Sequence, residues 1–139
     1  MSEAILDCKG LRKVFSNNGA EVEALGEISL SASPGEFIGL FGPSGCGKST
    51  FLLVAGGLLA PTSGSLQVCG KNPYAMDSSA RAAFRATNVG FLFQQFHLIP
   101  YLDVLGNVLA PTLASSLPHA EDRARQLLDK FQLRHRLNH

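Results

Sequence analysis

The sequence predicts an α/β domain, and three observations support this fold class. Residues 28–32 alternate apolar and polar side chains with a period of two, as a half-buried strand does. Residues 36–41 are almost continuously apolar, which is typical of a strand covered on both faces in a parallel sheet. The glycine-rich stretch at 42–50 leads directly into an apolar segment, so residues 48–59 predict a buried helix after that strand.

The residues before position 28 predict short strands joined by turns. Residues 4–8 and 11–15 are apolar-rich stretches that a lysine and a glycine separate. Asn-Asn-Gly at 17–19 and Pro-Gly at 34–35 are turn signals, because these residue types tolerate or preset the backbone angles that turns need. The first third of the chain is therefore predicted to consist mainly of strands.

Strands and a further helix are predicted along the middle of the chain. Residues 65–69 and 89–93 are short apolar-rich stretches, and each predicts a strand. Asp77 is a favourable N-cap, because its carboxylate can accept a hydrogen bond from the free N–H groups of a helix start. A helix over residues 78–87 follows from that cap.

Two more helices are predicted in the last third of the chain. Asp103 is a suitable N-cap for a short helix over 104–109, which ends before a proline. Pro118 is suited to the first turn of the last helix, where its missing N–H costs nothing. The residues of that helix predicted to form one buried stripe are Ala124, Leu127, Leu128 and Phe131.

Length and composition indicate one folded domain. The 139 residues are 45% hydrophobic and 17% charged, which excludes intrinsic disorder. A formal net charge of +1 gives no electrostatic reason to expect a nucleic-acid partner. Three cysteines without a CxxC pair favour neither a disulfide framework nor a zinc site. The longest apolar run, residues 51–60, is about half of a membrane span, so we expect a soluble chain or one held to a membrane through a partner.

The stretch GPSGCGKST at 42–50 satisfies the phosphate-loop pattern G-x-x-x-x-G-K-[ST] in the expected strand–loop–helix context. Its glycines allow a close backbone approach, and its N–H groups and the helix start can bind an anion. Lys48 supplies a cation to the β- and γ-phosphates, and Ser49 offers a hydroxyl ligand to Mg²⁺. The residues predicted to bind the nucleotide here are Gly42, Pro43, Ser44, Gly45, Cys46, Gly47, Lys48, Ser49 and Thr50.

The residues on either side of the phosphate loop indicate which family of P-loop proteins the chain resembles. This loop, together with GGLLAPTSGSLQVCGKN at 56–72 and VGFLFQQFHLIP at 89–100, resembles the nucleotide-binding subunit of ATP-binding cassette (ABC) transporters. The resemblance runs along the whole chain and is closest to the lipoprotein-release and macrolide-export group. It implies a P-loop NTPase-type fold with a mixed sheet, antiparallel strands at the N-terminus, and ATP with Mg²⁺ as ligands.

The resemblance also assigns roles outside the loop. Phe15 matches the aromatic residue that stacks on adenine, with packing in the sheet as the alternative, and Val22 is similar to a position beside the base. Gln94 matches the Q-loop glutamine, which would reach Mg²⁺ or the attacking water from the end of the 89–93 strand. Gln95 is the adjacent alternative, but the Phe-Gln dipeptide favours Gln94. Taken alone, the two glutamines would be interpreted as exposed side chains in a loop, and only the surrounding stretch favours the Q-loop role.

The same resemblance implies which protein subunits bind this chain. The segment 95–102 corresponds to part of the groove that receives a membrane subunit, so a transmembrane permease subunit is the implied partner. A buried satellite cluster is the alternative for this apolar, proline-containing segment. A second nucleotide-binding subunit is implied for the complete protein. The implied location is cytoplasmic, peripheral to the inner or plasma membrane through the permease.

Several elements of the ABC pattern are not found in the 139 residues. The LSGGQ-type signature, the Walker B strand, the catalytic glutamate after it and the switch histidine are all missing from the sequence. We therefore expect residues 1–139 to be a partial ABC ATPase domain, incomplete at the C-terminus, without hydrolysis of its own. The alternatives are a non-catalytic nucleotide-binding or docking fragment, or a non-functional truncated product. A small kinase or GTPase is disfavoured, since no Asn-Lys-x-Asp motif occurs.

Two positions depart from the family pattern, and one omission bears on folding. Gly106-Asn107-Val108 stands where the family usually has Glu-Asn-Val. Cys46 occupies a loop position often filled by serine, and we hypothesise that oxidation of its thiol blocks nucleotide binding. Without a Walker B strand, residues 36–41 would form an unpaired apolar edge, so we expect the chain expressed by itself to be largely insoluble or molten.

Overall fold

The computed structural model describes residues 4–114 and 117–139, which fall into two compact units. The first unit ends at Asn88, and the second runs from Val89 to His139. The elements of the first unit are β1 (Leu6–Asn17), β2 (Ala20–Ala32), α1 (Lys48–Ala55), β3 (Ser63–Val68), the 3₁₀ turn Pro73–Ala75 and α2 (Ser78–Asn88). The elements of the second unit are α3 (Val104–Leu109), the 3₁₀ turn Ala110–Ala114, α4 (Ala120–Lys130) and the 3₁₀ turn Arg134–Arg136.

Strands β1 and β2 form a hairpin at the predicted turn. Asn18 and Gly19 have φ angles of 49° and 84°, the left-handed pair that a two-residue hairpin loop requires. The stretches predicted as two strands merge into the single strand β1, because the chain passes through Gly10 at φ 57° with a register shift between Cys8 and Leu11. This shift is a β-bulge, which absorbs the extra residue without ending the strand.

The sheet has three antiparallel strands in the order β2-β1-β3. The predicted strand at 65–69 corresponds to β3, which begins two residues earlier and ends at Val68. One face of this sheet packs against α1 and the aromatic ring of Phe84 from α2. Burial raises the pKa of the Cys8 thiol within this core. The buried cluster consists of Cys8, Leu11, Leu25, Phe51, Val54, Leu66, Val68 and Phe84.

The two strands predicted at 36–41 and 89–93 do not form. Both segments lack regular secondary structure, and no strand within the described residues pairs with either of them. Phe37 and Phe41 are 97% and 95% exposed, which contradicts the predicted burial on both faces. A strand needs neighbouring backbones to accept its N–H and C=O groups, and apolar composition cannot supply them.

Helix α1 is shorter than predicted and is held at its C-terminal end. It stops at Ala55, and Gly56 and Gly57 follow, with Gly57 at φ 72°. Glycine permits this left-handed angle, which ends the helix. The Tyr74 hydroxyl lies within hydrogen-bond distance of the carbonyls of Val54 and Leu59, so the segment leaving α1 is fixed to the rest of the unit.

Both predicted acidic N-caps are confirmed, whereas the predicted place of Pro118 in the first turn of the last helix is wrong. Asp77 Oδ1 accepts a hydrogen bond from the Ala80 N–H at 2.8 Å, and Asp103 Oδ1 accepts one from the Gly106 N–H at 2.7 Å. Pro118 lies before α4, whose N-cap is His119 at φ 56°. The prolines of short loops fit a preceding turn as well as a first helical turn.

The predicted stripe on α4 is only half buried. Ala124 and Leu128 are buried, but Leu127 is exposed and Phe131 is 69% exposed. Helical spacing defines which residues share a face, but burial also requires an element that covers the whole width of that face. Within the described residues, no helix is long and apolar enough to cross a membrane.

Candidate functional site

The loop 42–47 adopts the left-handed backbone angles that its glycines permit. Gly42, Gly45 and Gly47 have φ angles of 151°, 81° and 94°. The Cys46 N–H donates to the Pro43 carbonyl at 3.4 Å, which closes the turn inside the loop. The polypeptide then enters α1 directly at Lys48.

Gly47 anchors the end of the loop to the hairpin. A Cβ atom at this position would lie 2.6 Å from the Ala24 carbonyl oxygen and 3.4 Å from Leu25 Cδ1. The first distance is shorter than any van der Waals contact, so only glycine allows β2 to approach this closely. The loop is thereby fixed against the sheet that carries the hydrophobic core.

The Lys48 ammonium lies on the loop itself. Its Nζ donates to the carbonyl oxygens of Gly42 at 2.8 Å and of Pro43 at 2.6 Å, and lies 3.4 Å from Cys46 Sγ. These contacts place a positive charge beside the backbone of the same loop that precedes the helix. Cys46 is exposed, so its thiol is accessible to reagents at this position.

The start of α1 carries groups that suit a phosphate and its metal. Gly47 is the N-cap and has no side chain to accept from the first-turn N–H groups, and the first turn contains no acidic residue. Free N–H groups and the helix dipole give this end a positive potential. Ser49 is exposed on the first turn, and a hydroxyl there is a suitable Mg²⁺ ligand. The residues present therefore fit a nucleoside triphosphate with its metal.

Phe15 lies near the tip of the hairpin and is 45% exposed. It pairs with Val22 on β2, which is also exposed, so the two predicted base-contacting residues are neighbours. Lys13 Nζ lies 5.0 Å from the centre of the Phe15 ring. On β2, Val22 is two residues from Ala24, where the loop packs, so the ring and the loop belong to the same unit.

Gln94 lies in the second unit, in the segment that follows the predicted strand. Its side chain is exposed, as is that of Gln95. The neighbouring aromatic rings pack together: Phe93 is 4.5 Å from Phe91 and 5.0 Å from His97, centre to centre. The metal-ligand role of Gln94 remains a prediction from the family pattern.

The segment 95–102 presents large apolar side chains. Phe96 and Tyr101 are 90% and 85% exposed, and Leu98 is also exposed. A cavity of about 520 Å³ lies beside this segment, with walls that include Ile99 and Leu128. The segment therefore combines an apolar surface with a recess between it and helices of the second unit.

Asn107 holds this segment, a role that its place in the sequence does not reveal. Its Oδ1 accepts from the Ile99 N–H at 2.7 Å, while its Nδ2 lies 3.2 Å from the Ile99 carbonyl, 2.9 Å from that of Leu102 and 3.0 Å from that of Asp103. One amide thus satisfies donor and acceptor groups on a stretch without regular structure. The asparagine in Gly106-Asn107-Val108 is evident in the sequence, but its partners are not.

The described residues contain no group of three or more histidine, cysteine or acidic side chains placed to hold a metal ion. The chemistry of the first unit is instead that of the glycine-rich loop, its lysine and the helix start. The glycine-rich loop, its lysine and the helix that follows match the phosphate-loop pattern of P-loop proteins, although the segment before the loop is not a strand here.

Comparison with known proteins gives the family. Residues 25–139 match the family model for the ABC transporter, and the chain belongs to this family. It is 43% identical over 131 residues to lipoprotein-releasing system ATP-binding protein LolD 1 of Rhodopirellula baltica, covering 93% of this chain and 57% of that protein. It is 37% identical over 141 residues to the macrolide export ATP-binding/permease protein MacB of Rhodopseudomonas palustris, covering 100% of this chain and 22% of that protein.

A solved structure has the same fold. The dimeric post-hydrolysis state of the ATP-binding cassette MJ0796, bound to ADP and Pi, is 33% identical with a TM-score of 0.85. The match covers 96% of this chain and 60% of the MJ0796 chain. The P-loop NTPase fold class and the family assignment are thus confirmed. The present chain spans about three fifths of the length of the ATP-binding cassettes that it matches.

Proposed function

We propose that this chain binds Mg²⁺ and ATP as the ATP-binding part of an ABC-type membrane transporter. The observation that carries the proposal is the position of the Lys48 ammonium on the loop that leads into α1. A cation, a row of backbone N–H groups and a helix start together suit the triphosphate. The family match and the phosphate-loop pattern support the same ligand.

Each group in the first unit has a proposed role. The N–H groups of the loop and of the first turn of α1 would bind the phosphate oxygens, while Lys48 neutralises the β- and γ-phosphates. Ser49 would donate its oxygen to Mg²⁺. For Gln94, the resemblance to the family implies a metal-ligand role in the complete protein. Phe15 would stack on the base, beside Val22, since both side chains are exposed on neighbouring strands. Mg²⁺, when bound, would neutralise charge on the terminal phosphates.

We propose binding without turnover by the 139 residues themselves. The sequence contains neither the Walker B strand with its catalytic glutamate nor the LSGGQ-type signature that a partner subunit would supply to ATP. A loop that binds the triphosphate stabilises the ground state, whereas hydrolysis also needs a group that orients the attacking water. Hydrolysis would therefore need those missing elements.

The proposed partner is a transmembrane permease subunit that contacts the segment 95–102. Exposed Phe96, Leu98 and Tyr101 supply an apolar surface that is typical of an interaction site. A second nucleotide-binding subunit is proposed for the transporter, as in the dimeric cassette structures. The chain would then lie at the cytoplasmic side of the membrane. The same apolar surface favours the second candidate, a docking module without catalysis.

A titration of the full chain, carried on a solubility tag, with Mg²⁺ and ATP tests the proposal. Lys48→Ala should weaken binding by about 10–100-fold, because hydrogen bonds to charged groups contribute about 1.5–3 kcal/mol. Lys9→Ala is the matched control, since Lys9 is a well-exposed lysine whose ammonium lies 3.7 Å from Asp7 Oδ2. Binding that survives Lys48→Ala unchanged would contradict the proposal.

A phosphate-release assay on the same samples separates binding from turnover. No release above background is expected from the chain at saturating ATP. Measurable hydrolysis that Lys48→Ala abolishes would show that the present residues supply a complete catalytic site. Absence of nucleotide binding in the native sequence would favour the docking module.

A further inference from the structure

Lys13 lies between the predicted base-stacking ring and the segment that leaves α1. Its Nζ donates to the Ala60 carbonyl at 2.9 Å and lies 5.0 Å from the centre of the Phe15 ring. Lys13 is half-buried, and it pairs across the hairpin with the buried Leu25. The ammonium therefore has a fixed position instead of the freedom of a surface lysine.

Hydrogen bonds on both sides of Lys13 fix the strand that carries it. The Thr62 N–H donates to the Arg12 carbonyl at 2.8 Å. Thr62 Oγ1 accepts from the Val14 N–H at 2.9 Å and lies 3.2 Å from the Val14 carbonyl. Residues 60–62 thus extend the contact between β1 and β3, and Lys13 is held between two anchored neighbours.

The same segment is connected to the phosphate loop through α1. Tyr74 holds the carbonyls of Val54 and Leu59, immediately before Ala60. At the other end of α1, Gly47 packs against β2 beside Leu25, the residue opposite Lys13. The distance from the loop to the Phe15 ring is therefore set by one connected set of contacts, in which Lys13 makes the direct contact with the ring.

We propose that Lys13 is a positioning residue for base recognition: its ammonium occupies one face of the Phe15 ring and holds the other face for stacking on the base. This inference rests on the proposed nucleotide-binding function. An ammonium is attracted to the negative face of an aromatic ring, which restricts rotation of the ring. A ring held in place stacks on a base with a smaller loss of side-chain freedom.

Two ligands distinguish the contribution of the base to binding from that of the phosphates. ATP and inorganic triphosphate, each with Mg²⁺, are titrated into the full chain and its variants. In Lys13→Met, which keeps the length of the side chain, ATP affinity should fall about three- to tenfold. Triphosphate affinity should stay within about twofold, because the phosphate loop is unchanged. Lys13→Arg, which keeps the charge and a donor, should restore most of the ATP affinity.

The Phe15→Ala background provides the second test. Adding Lys13→Met to Phe15→Ala should change ATP affinity by less than about twofold, since the ring through which Lys13 acts is gone. Additive losses in the double variant would overturn the proposal, as would an equal loss of ATP and triphosphate binding in Lys13→Met. If the native chain binds neither ligand, the proposed function itself fails; if it binds both and Lys13→Met changes neither, only the role of Lys13 fails.

Discussion

Strand β1 and the segment 36–41 are both apolar-rich, yet only one of them becomes a strand. Strand β1 pairs with β2 on one side and β3 on the other, and its Leu11 is completely buried. The segment 36–41 has no paired neighbour within the described residues, and two phenylalanines there are almost fully exposed. The difference shows that strand formation here depends on available partners more than on apolar content.

Both partners of β1 run antiparallel to it, whereas 36–41 is predicted as a strand of a parallel sheet. A two-residue turn at Asn18 and Gly19 returns β2 to β1 immediately. A buried parallel strand instead needs crossover connections that bring distant residues beside it. The segment 89–93, the other apolar stretch that is predicted as a strand, likewise remains without regular structure. Distance in sequence alone does not explain the two failures, since β3 is distant from β1 in sequence and still pairs with it.

The largest expected effect is in the paired region. Leu25→Ala removes a side chain that is 1% exposed and in the centre of the core, so it should lower the free energy of unfolding of the first unit by about 2–5 kcal/mol. Amide hydrogen exchange of β1 and β2 measures the loss of protection. Phe37→Ala, at a 97% exposed position of the same unit, is the control and should change little. Equal losses of protection in the two variants would contradict the difference drawn between the paired strands and the unpaired segment.

Asn107→Ala tests a segment whose backbone is hydrogen-bonded to one side chain and not to a neighbouring strand. The variant leaves the Ile99 N–H without its acceptor and the Leu102 carbonyl without the amide donor, which should cost about 1–3 kcal/mol locally. Exchange of the Ile99 amide hydrogen should accelerate accordingly. Asn138→Ala, at an exposed asparagine of the same unit, should leave that rate unchanged. Unchanged exchange in Asn107→Ala would show that the segment does not need the amide.

Tyr74→Phe removes the hydroxyl that holds the end of α1, and it should cost about 1 kcal/mol. Burial raises the pKa of Tyr74 to about 12, above its ordinary value near 10. A raised pKa in the folded state means that the stabilisation is complete below pH about 10 and is lost as pH rises toward 12.

The difference in stability between native chain and Tyr74→Phe should therefore shrink as the pH rises through this window. Protection of the α1 amide hydrogens, compared between the two proteins at each pH, gives that difference. A constant difference from pH 9 to 12 would contradict the assigned role of the hydroxyl.

The smallest expected change in stability is at the unpaired segment. Phe37→Ser with Phe41→Ser should alter the free energy of unfolding by less than about 0.5 kcal/mol, because both rings are already exposed. Solubility should rise, since exposed apolar segments with unpaired backbone promote aggregation. Phe51→Ser, at a buried position of α1, is the opposite control and should disrupt the first unit.

The native chain itself provides the reference for that experiment. We expect it, when expressed without a tag, to be largely insoluble or molten. A sharp and cooperative thermal transition from a monomer would contradict this expectation. It would also mean that the exposed phenylalanines do not promote aggregation.

The sequence by itself determined the local features of this protein. The hairpin turn, the caps at Asp77 and Asp103 and the glycine-rich loop each depend on residues within a few positions, whose backbone preferences and hydrogen bonds are set locally. The resemblance of three stretches to ABC subunits fixed the family. The candidate loop residues therefore follow from the order of residue types along the chain.

Only the tertiary structure decided which segments found partners. It merged two predicted strands into β1, left 36–41 unpaired, joined Lys13 to Phe15 and Ala60, and assigned Asn107 to four backbone groups. Each of these outcomes depends on atoms brought together by folding. Pairing and close packing are set by distance in space, which a one-dimensional pattern of residue types does not contain.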